Sequence, residues 1–89
     1  MQLQRMIIQM RVFSYKRLFK KLIDLEMKNN ELMKKAKVSK STFYKMKNGQ
    51  NVTTDVLLRI CNALDCDIDE IVECIKIQSE FDTENNNDI

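Results

Sequence analysis

Several residue types are scarce in this chain, and each scarcity excludes a class of protein. The 89 residues include no histidine, no proline and a single glycine, Gly49. Without histidine there is no Ser-His or Cys-His triad and no His-ligated metal site. One glycine is too few for a phosphate-binding loop. A β-sandwich or barrel is also excluded, because it needs turn residues such as glycine and proline at frequent intervals. The composition therefore predicts one small domain of helices joined by short polar turns.

Cysteine is also sparse. Cys61, Cys66 and Cys74 are the only three, and they have neither CxxC spacing nor a fourth metal ligand. The longest apolar run near the start, residues 6–8, is too short for a secretory signal or a membrane span. We therefore expect reduced thiols in a cytoplasmic protein, with no metal, no cofactor and no membrane partner. Serine and cysteine without a histidine base also argue against an enzyme.

The net charge of +2 hides a strong asymmetry along the chain. Residues 1–49 contain 13 lysines and arginines against three acidic residues, a balance of +10. Residues 50–89 contain two basic residues against ten acidic ones, a balance of −8. Such a separation predicts a basic surface for a polyanion and an acidic remainder, although a solvated surface with an acidic tail is the plainer alternative.

Hydrophobic spacing predicts an all-α fold of five short helices. The first covers residues 14–27, with Ser14 as its N-cap. Its apolar face consists of Tyr15, Leu18, Phe19, Leu22 and Ile23. Ser39 and Thr53 are predicted to cap the third and fourth helices, and Asp67 with Glu70 three residues later resembles a capping box opening the fifth. The five helices are predicted at about residues 14–27, 30–36, 40–47, 53–64 and from 67 onward.

The two ends of the domain have a different periodicity. Apolar residues alternate with polar ones over residues 8–12 and again over 75–78, which is typical of strands. We predict that these segments pair as a small β-ribbon, within one chain or across a dimer. The expected organisation is an N-terminal extension over residues 1–13, a domain over 14–78 and an acidic, disordered tail over 79–89.

The centre of the chain contains the most informative pattern. Residues 32–49 read LMKKAKVSKSTFYKMKNG, two helices of about two turns joined by a short break, which is a helix-turn-helix arrangement. The hinge core is predicted to contain Leu32, Met33, Ala36, Val38, Phe43 and Met46. On a helical wheel the opposite side of the third helix carries Lys40, Ser41, Tyr44 and Lys45. A helix of this width fits the DNA major groove.

Residues 14–75 resemble the Cro/lambda-repressor-type helix-turn-helix family, also called the XRE family. Beside the central segment, the resemblance is carried by SYKRLFKKLID from residue 14 and NVTTDVLLRICNALDCDIDEIVE over residues 51–73. It implies a five-helix, lambda-repressor-like DNA-binding domain whose third helix contacts bases. The positions carried over as base contacts are Lys40, Ser41, Tyr44 and Lys45. Those carried over as phosphate contacts are Lys28, Asn29, Thr42, Lys47 and Asn48.

The sequence departs from the family pattern in the turn. Lys37 stands where a glycine is common, which costs about 1 kcal/mol if the residue is left-handed. Met33 stands where a small alanine is usual, and Lys47 replaces a common glutamate. The first two changes affect how the two helices pack, and the third adds positive charge.

The leading hypothesis is a sequence-specific regulator of transcription that binds double-stranded DNA as a homodimer, with the third helix in the major groove. No small-molecule ligand is expected. The alternative is a protein-interaction module or antitoxin-like adaptor on the same fold, with the acidic tail as its binding segment. Simpler interpretations exist for single residues of the predicted site. The lysines could be ordinary solvated side chains, and the Tyr44 ring could pack on its neighbours.

Overall fold

The computed structural model describes the backbone of residues 5–82 and the side-chain surroundings of residues 10–77. Four α-helices lie between two long strands. In chain order the elements are β1 (Arg5–Ser14), α1 (Lys16–Asp24), α2 (Asn29–Ala36), α3 (Lys40–Lys47), α4 (Thr54–Leu64), a single 3₁₀ turn (Ile68–Glu70) and β2 (Glu73–Asp82). No helix among the described residues is long and apolar enough to cross a membrane.

Side-chain caps place the starts of α3 and α4 where the sequence predicts them. The Ser39 hydroxyl accepts a hydrogen bond from the Thr42 backbone N–H at 3.2 Å, and the Thr53 hydroxyl accepts one from the Val56 N–H at 3.3 Å. The cap predicted for α1 is wrong by one residue. Tyr15 occupies the N-cap position, because Ser14 is the last residue of β1.

One hydrophobic core joins all four helices and the segment after the 3₁₀ turn. Its most deeply buried large side chains are Leu18, Leu32, Phe43, Met46, Ile60 and Ile71. All the predicted hinge residues belong to it, with Met33 only partly buried against its edge. The predicted inward position of Ile23 is wrong, since its side chain is 75% exposed. Ile23 lies in the last turn of α1, which ends at Asp24, and the buried face of the helix ends at Leu22.

The predicted ribbon exists within one chain. β1 and β2 form a two-stranded antiparallel sheet in which Met10 lies opposite Ile77 and Val12 opposite Ile75. Each strand has ten residues, so the sheet is longer than the two predicted segments. The molecule is correspondingly elongated, with principal extents of 59 × 23 × 23 Å.

The predicted fifth helix is wrong: the domain is mostly helical, but it has four α-helices and a two-stranded antiparallel sheet. The Glu70 carboxylate does accept a hydrogen bond from the Asp67 N–H at 2.9 Å, but the pair caps only a 3₁₀ turn. From Glu73 the chain is extended. The apolar residues 71, 72 and 75 fit a helical spacing, whereas 75 and 77 fit a strand. Pairing with β1 decides between the two.

The strand β2 extends into the segment that is predicted to be an acidic, disordered tail. β2 continues through Asp82, because residues 79–82 pair with residues 5–8 of β1. The first part of the segment expected to be disordered is therefore a strand. The rest of that segment, residues 83–89, and residues 1–4 of the N-terminal extension lie outside the described residues.

Candidate nucleic-acid interface

The turn between α2 and α3 fixes how the two helices meet. Lys37 is left-handed, with φ 57° and ψ 47°, so this lysine bears the backbone cost that a glycine would avoid. Arg59 of α4 donates a hydrogen bond to the Lys37 carbonyl and also pairs with Asp55 at 2.7 Å. Val38 then enters the core. The turn is thus held from one side by apolar packing and from the other by a guanidinium.

The two sides of α3 differ as the helical wheel predicts. Phe43 and Met46 are each 1% exposed and pack in the core. Phe43 meets Phe19 of α1 edge to face, with ring centroids 5.6 Å apart. The four positions carried over as base contacts, Lys40, Ser41, Tyr44 and Lys45, are all exposed. Buried aromatic packing therefore anchors the helix while its outer side stays free.

Tyr44 organises the charges on this outer side. The Lys40 Nζ and the Lys47 Nζ each lie 5.9 Å from the centroid of its ring. A cation over an exposed aromatic face gains about 0.5–1 kcal/mol. The ring also touches Phe43 edge to face at 6.4 Å. One part of the Tyr44 ring therefore packs on its neighbours, and about half of the residue is still exposed to solvent.

Hydroxyl groups cluster at the first turn of α3. The Ser39 hydroxyl lies 2.9 Å from the Thr42 Oγ1 and 3.2 Å from the Ser41 Oγ. Ser39 and Thr42 are occupied by the helix cap, and Thr42 is only partly exposed. Ser41 is exposed and retains its capacity to exchange hydrogen bonds with a ligand.

The positions carried over as phosphate contacts fall at three places. Lys28 and Asn29 lie at the start of α2, where the Lys28 N–H donates to the Glu31 carboxylate at 2.9 Å. Thr42 lies in the first turn of α3, and Lys47 with Asn48 at its end. Four of the five are exposed, the exception being Thr42. All five therefore lie within or at the ends of α2 and α3, and four of them have accessible side chains.

The loop after α3 adds residues that the sequence reading missed. Asn51 lines two cavities, one of about 230 Å³ shared with Thr42 and Lys45 and one of about 400 Å³ shared with Arg11 of β1. The Gln50 N–H donates to the Lys45 carbonyl at 2.8 Å and holds the loop against α3. The strand register brings Arg11 here, and no short-range motif signals it.

Two basic residues of α1 are neutralised away from this surface. Arg17 pairs with Glu73 at 3.0 Å, and Lys21 pairs with Glu70 at 3.0 Å. The Asp67 backbone N–H and then Lys21 lower the pKa of Glu70 below its ordinary value, and the Glu70 hydrogen bond raises the pKa of Lys21. These pairs join α1 to the 3₁₀ turn and to β2. The acidic second half of the chain thus offsets part of the basic first half within the fold.

A small acidic cluster is the one group among the described residues with the geometry to hold a cation. The carboxylates of Asp67, Asp69 and Glu70 lie within 4.8 Å of one another, and all three residues are exposed. Glu70 already accepts from Lys21 and from the Asp67 N–H. The cluster is therefore accounted for by the structure of the 3₁₀ turn.

The fold and its exposed basic helix are those of a helix-turn-helix DNA-binding domain. The family model of the Cro/C1-type HTH DNA-binding domain matches residues 2–76. The chain belongs to this family. A solved structure, the crystal structure of the transcriptional regulator VanUg (Form II), is similar with a TM-score of 0.70 and 46% identity. The match covers 73% of this chain and 87% of that one. None of the curated protein sequences compared matches the chain.

Proposed function

We propose that this protein is a transcriptional regulator that recognises a specific sequence in double-stranded DNA. The carrying observation is the division of α3, with Phe43 and Met46 buried and a basic, polar side exposed. Family membership supports DNA as the ligand, and the similarity to VanUg supports a role in regulation. As a regulator of DNA it would act in the cytoplasm.

In this proposal α3 lies in the major groove. Lys40 and Lys45 donate to guanine acceptors, Ser41 exchanges hydrogen bonds with a base edge, and the ring of Tyr44 meets a thymine methyl. Around it, Lys28, Asn29, Thr42, Lys47 and Asn48 contact phosphates and fix the register of the helix. The lysines held near the Tyr44 ring have less side-chain freedom to lose on binding, which favours their use.

The functional unit is proposed to be a homodimer that reads two half-sites about one DNA turn apart. Met10 and Ile77, opposite each other on one face of the ribbon, are 51% and 40% exposed. A two-stranded ribbon alone is only marginally stable in water, and a contiguous exposed apolar surface is typical of a protein contact. A second copy on this face would supply that cover.

The dimer is tested by Ile77→Lys, which places a charge on the apolar face of the ribbon. Sedimentation equilibrium should then show monomer, and binding to a two-fold symmetric site should weaken. Ile23→Lys is the matched control, since that isoleucine is exposed on α1, away from the ribbon. Loss of the dimer in both variants, or in neither, would argue against this interface.

The DNA proposal is tested first by selecting bound fragments from a random duplex library. Lys45→Ala should then weaken binding to the selected site by about 1–3 kcal/mol and relax specificity at one position. Lys47→Ala should weaken binding to all sequences alike and reduce the salt slope by about 0.9. Lys35→Ala, on the last turn of α2, serves as the control. Enrichment of no sequence from the library would sink the proposal of specificity.

A second candidate, a protein-interaction module, is favoured by one observation. Leu58 of α4 and Ile68 of the 3₁₀ turn are both exposed and line the same cleft of about 650 Å³. Exposed neighbouring apolar side chains are typical of protein contacts. Co-purification with a stoichiometric protein partner, together with no shift of any duplex, would favour this candidate over DNA recognition.

A further inference from the structure

The ribbon carries two cations where strand pairing alone gives no reason for them. Arg11 of β1 lies directly opposite Lys76 of β2, and both are exposed. Like charges directly opposite each other destabilise an antiparallel pair. Among side chains of residues 10–77, no carboxylate forms an ion pair with either residue. A bound anion would relieve the repulsion between them.

The face of the ribbon that carries this pair borders the loop after α3 at Arg11. Residues two apart on a strand share a face, so Arg11 and Phe13 lie together with their partners Lys76 and Cys74. Arg11, Phe13 and Cys74, together with Val12 between them, line the 400 Å³ cavity against residues 49–51. The apolar Met10 and Ile77 occupy the other face, so the cationic pair and the proposed dimer surface do not compete.

The loop connects the cationic pair to the exposed side of α3. Asn51 borders both the cavity beside Arg11 and the cavity beside Lys45. The hydrogen bond from the Gln50 N–H to the Lys45 carbonyl keeps the loop at the end of the helix. Asn51 thus lies between the surface beside Lys45 on α3 and the surface beside Arg11 on the ribbon.

We propose that Arg11 and Lys76 bind backbone phosphates of duplex DNA outside the base pairs that α3 reads. This inference rests on the proposed function, in which α3 lies on the same duplex. The guanidinium of Arg11 donates one N–H to the Cys74 carbonyl at 3.4 Å, which directs the group toward β2. Its remaining donors match the oxygens of a phosphate, and the Lys76 ammonium adds a second charge.

The test compares two double variants that remove the same charge. R11Q/K76Q removes the ribbon cations, and K34Q/K35Q removes two exposed cations of α2 that carry no assigned contact. Binding to a random-sequence duplex is measured over a range of salt concentrations. The magnitude of the slope of the logarithm of affinity against the logarithm of salt concentration should decrease by about 1.8 for R11Q/K76Q, from ~0.9 per phosphate, and by much less for the control.

The outcomes separate this inference from the function on which it rests. If the wild type binds duplex and the two double variants have equal slopes, the ribbon contact is wrong and DNA binding by α3 stands. If the wild type binds no duplex at any salt concentration, both are wrong. A charge-preserving variant, R11K/K76R, should retain the wild-type slope. A slope as low as that of R11Q/K76Q would overturn the proposal, because the slope would have changed while both charges were kept.

Discussion

The helical unit and the ribbon are built on different principles. In the helices, large apolar side chains such as Phe43 and Ile60 are almost wholly buried. The side-chain caps of α3 and α4 also accept hydrogen bonds from backbone N–H groups of the first turn. In the ribbon, none of the side chains described at residues 10–14 and 73–77 is buried. A core of its own stabilises the helical unit, whereas the described side chains of the ribbon are exposed or only partly covered. That difference indicates that the helices position the site and the ribbon is a surface for contacts.

The same substitution in both regions is the strongest test of this difference. Phe43 is 1% exposed and Phe13 is 43% exposed. Phe43→Ala should lower the free energy of unfolding by about 3–5 kcal/mol, because it leaves a cavity among α1, α2 and α3. Phe13→Ala should cost about 1 kcal/mol, since much of its surface is already in water. Urea unfolding measures both, and equal losses would show that the ribbon shares the helical core.

A smaller effect is expected within the helical unit at the turn. Lys37→Gly should raise the free energy of unfolding by about 1 kcal/mol, because glycine adopts the observed φ of 57° without a Cβ clash. Lys37→Ala removes the same charge but keeps the Cβ, so it should change the stability by less than about 0.5 kcal/mol. The same gain from both substitutions would assign the effect to charge rather than to the backbone.

The smallest expected effect concerns the junction between α1 and the 3₁₀ turn. Folding lowers the pKa of Glu70 below its ordinary value of 4.5. The ionised carboxylate therefore stabilises the fold at a pH above the pKa of the unfolded state. This stabilisation is lost as the pH falls through the lower pKa of the folded state. Glu70→Gln should therefore be less stable than the wild type at neutral pH, and the two should converge in acid. Thermal melts at several pH values measure this, and a constant difference would exclude ionisation as the cause.

Local patterns predicted most of the helical unit. Ser39 and Thr53 cap their helices by short-range chemistry, and the hinge residues follow a helical repeat. The structure of the segment after the 3₁₀ turn is harder to predict, because the spacing of Ile71, Val72 and Ile75 suits a helix equally well. Only pairing with β1 makes the chain from Glu73 onward a strand, and Val12, the partner of Ile75, lies more than sixty residues away in the sequence.

The candidate site divides in the same way. Lys40, Ser41, Tyr44 and Lys45 share one side of a helix, so their common exposure follows from the helical repeat alone. Arg59 and Arg11 were missed, because each reaches its place through a distant contact. Arg59 holds the Lys37 carbonyl from α4, and the strand register brings Arg11 beside the loop after α3.

The central claim is that the exposed side of α3 recognises duplex DNA. Its most direct test is an NMR titration of the protein with the duplex selected from a random library, followed at every backbone amide. We expect the largest chemical-shift changes at residues 40–48 and the smallest along the outer side of α4, at Leu58 and Asn62. The largest changes on that side of α4, with α3 unaffected, would contradict the account.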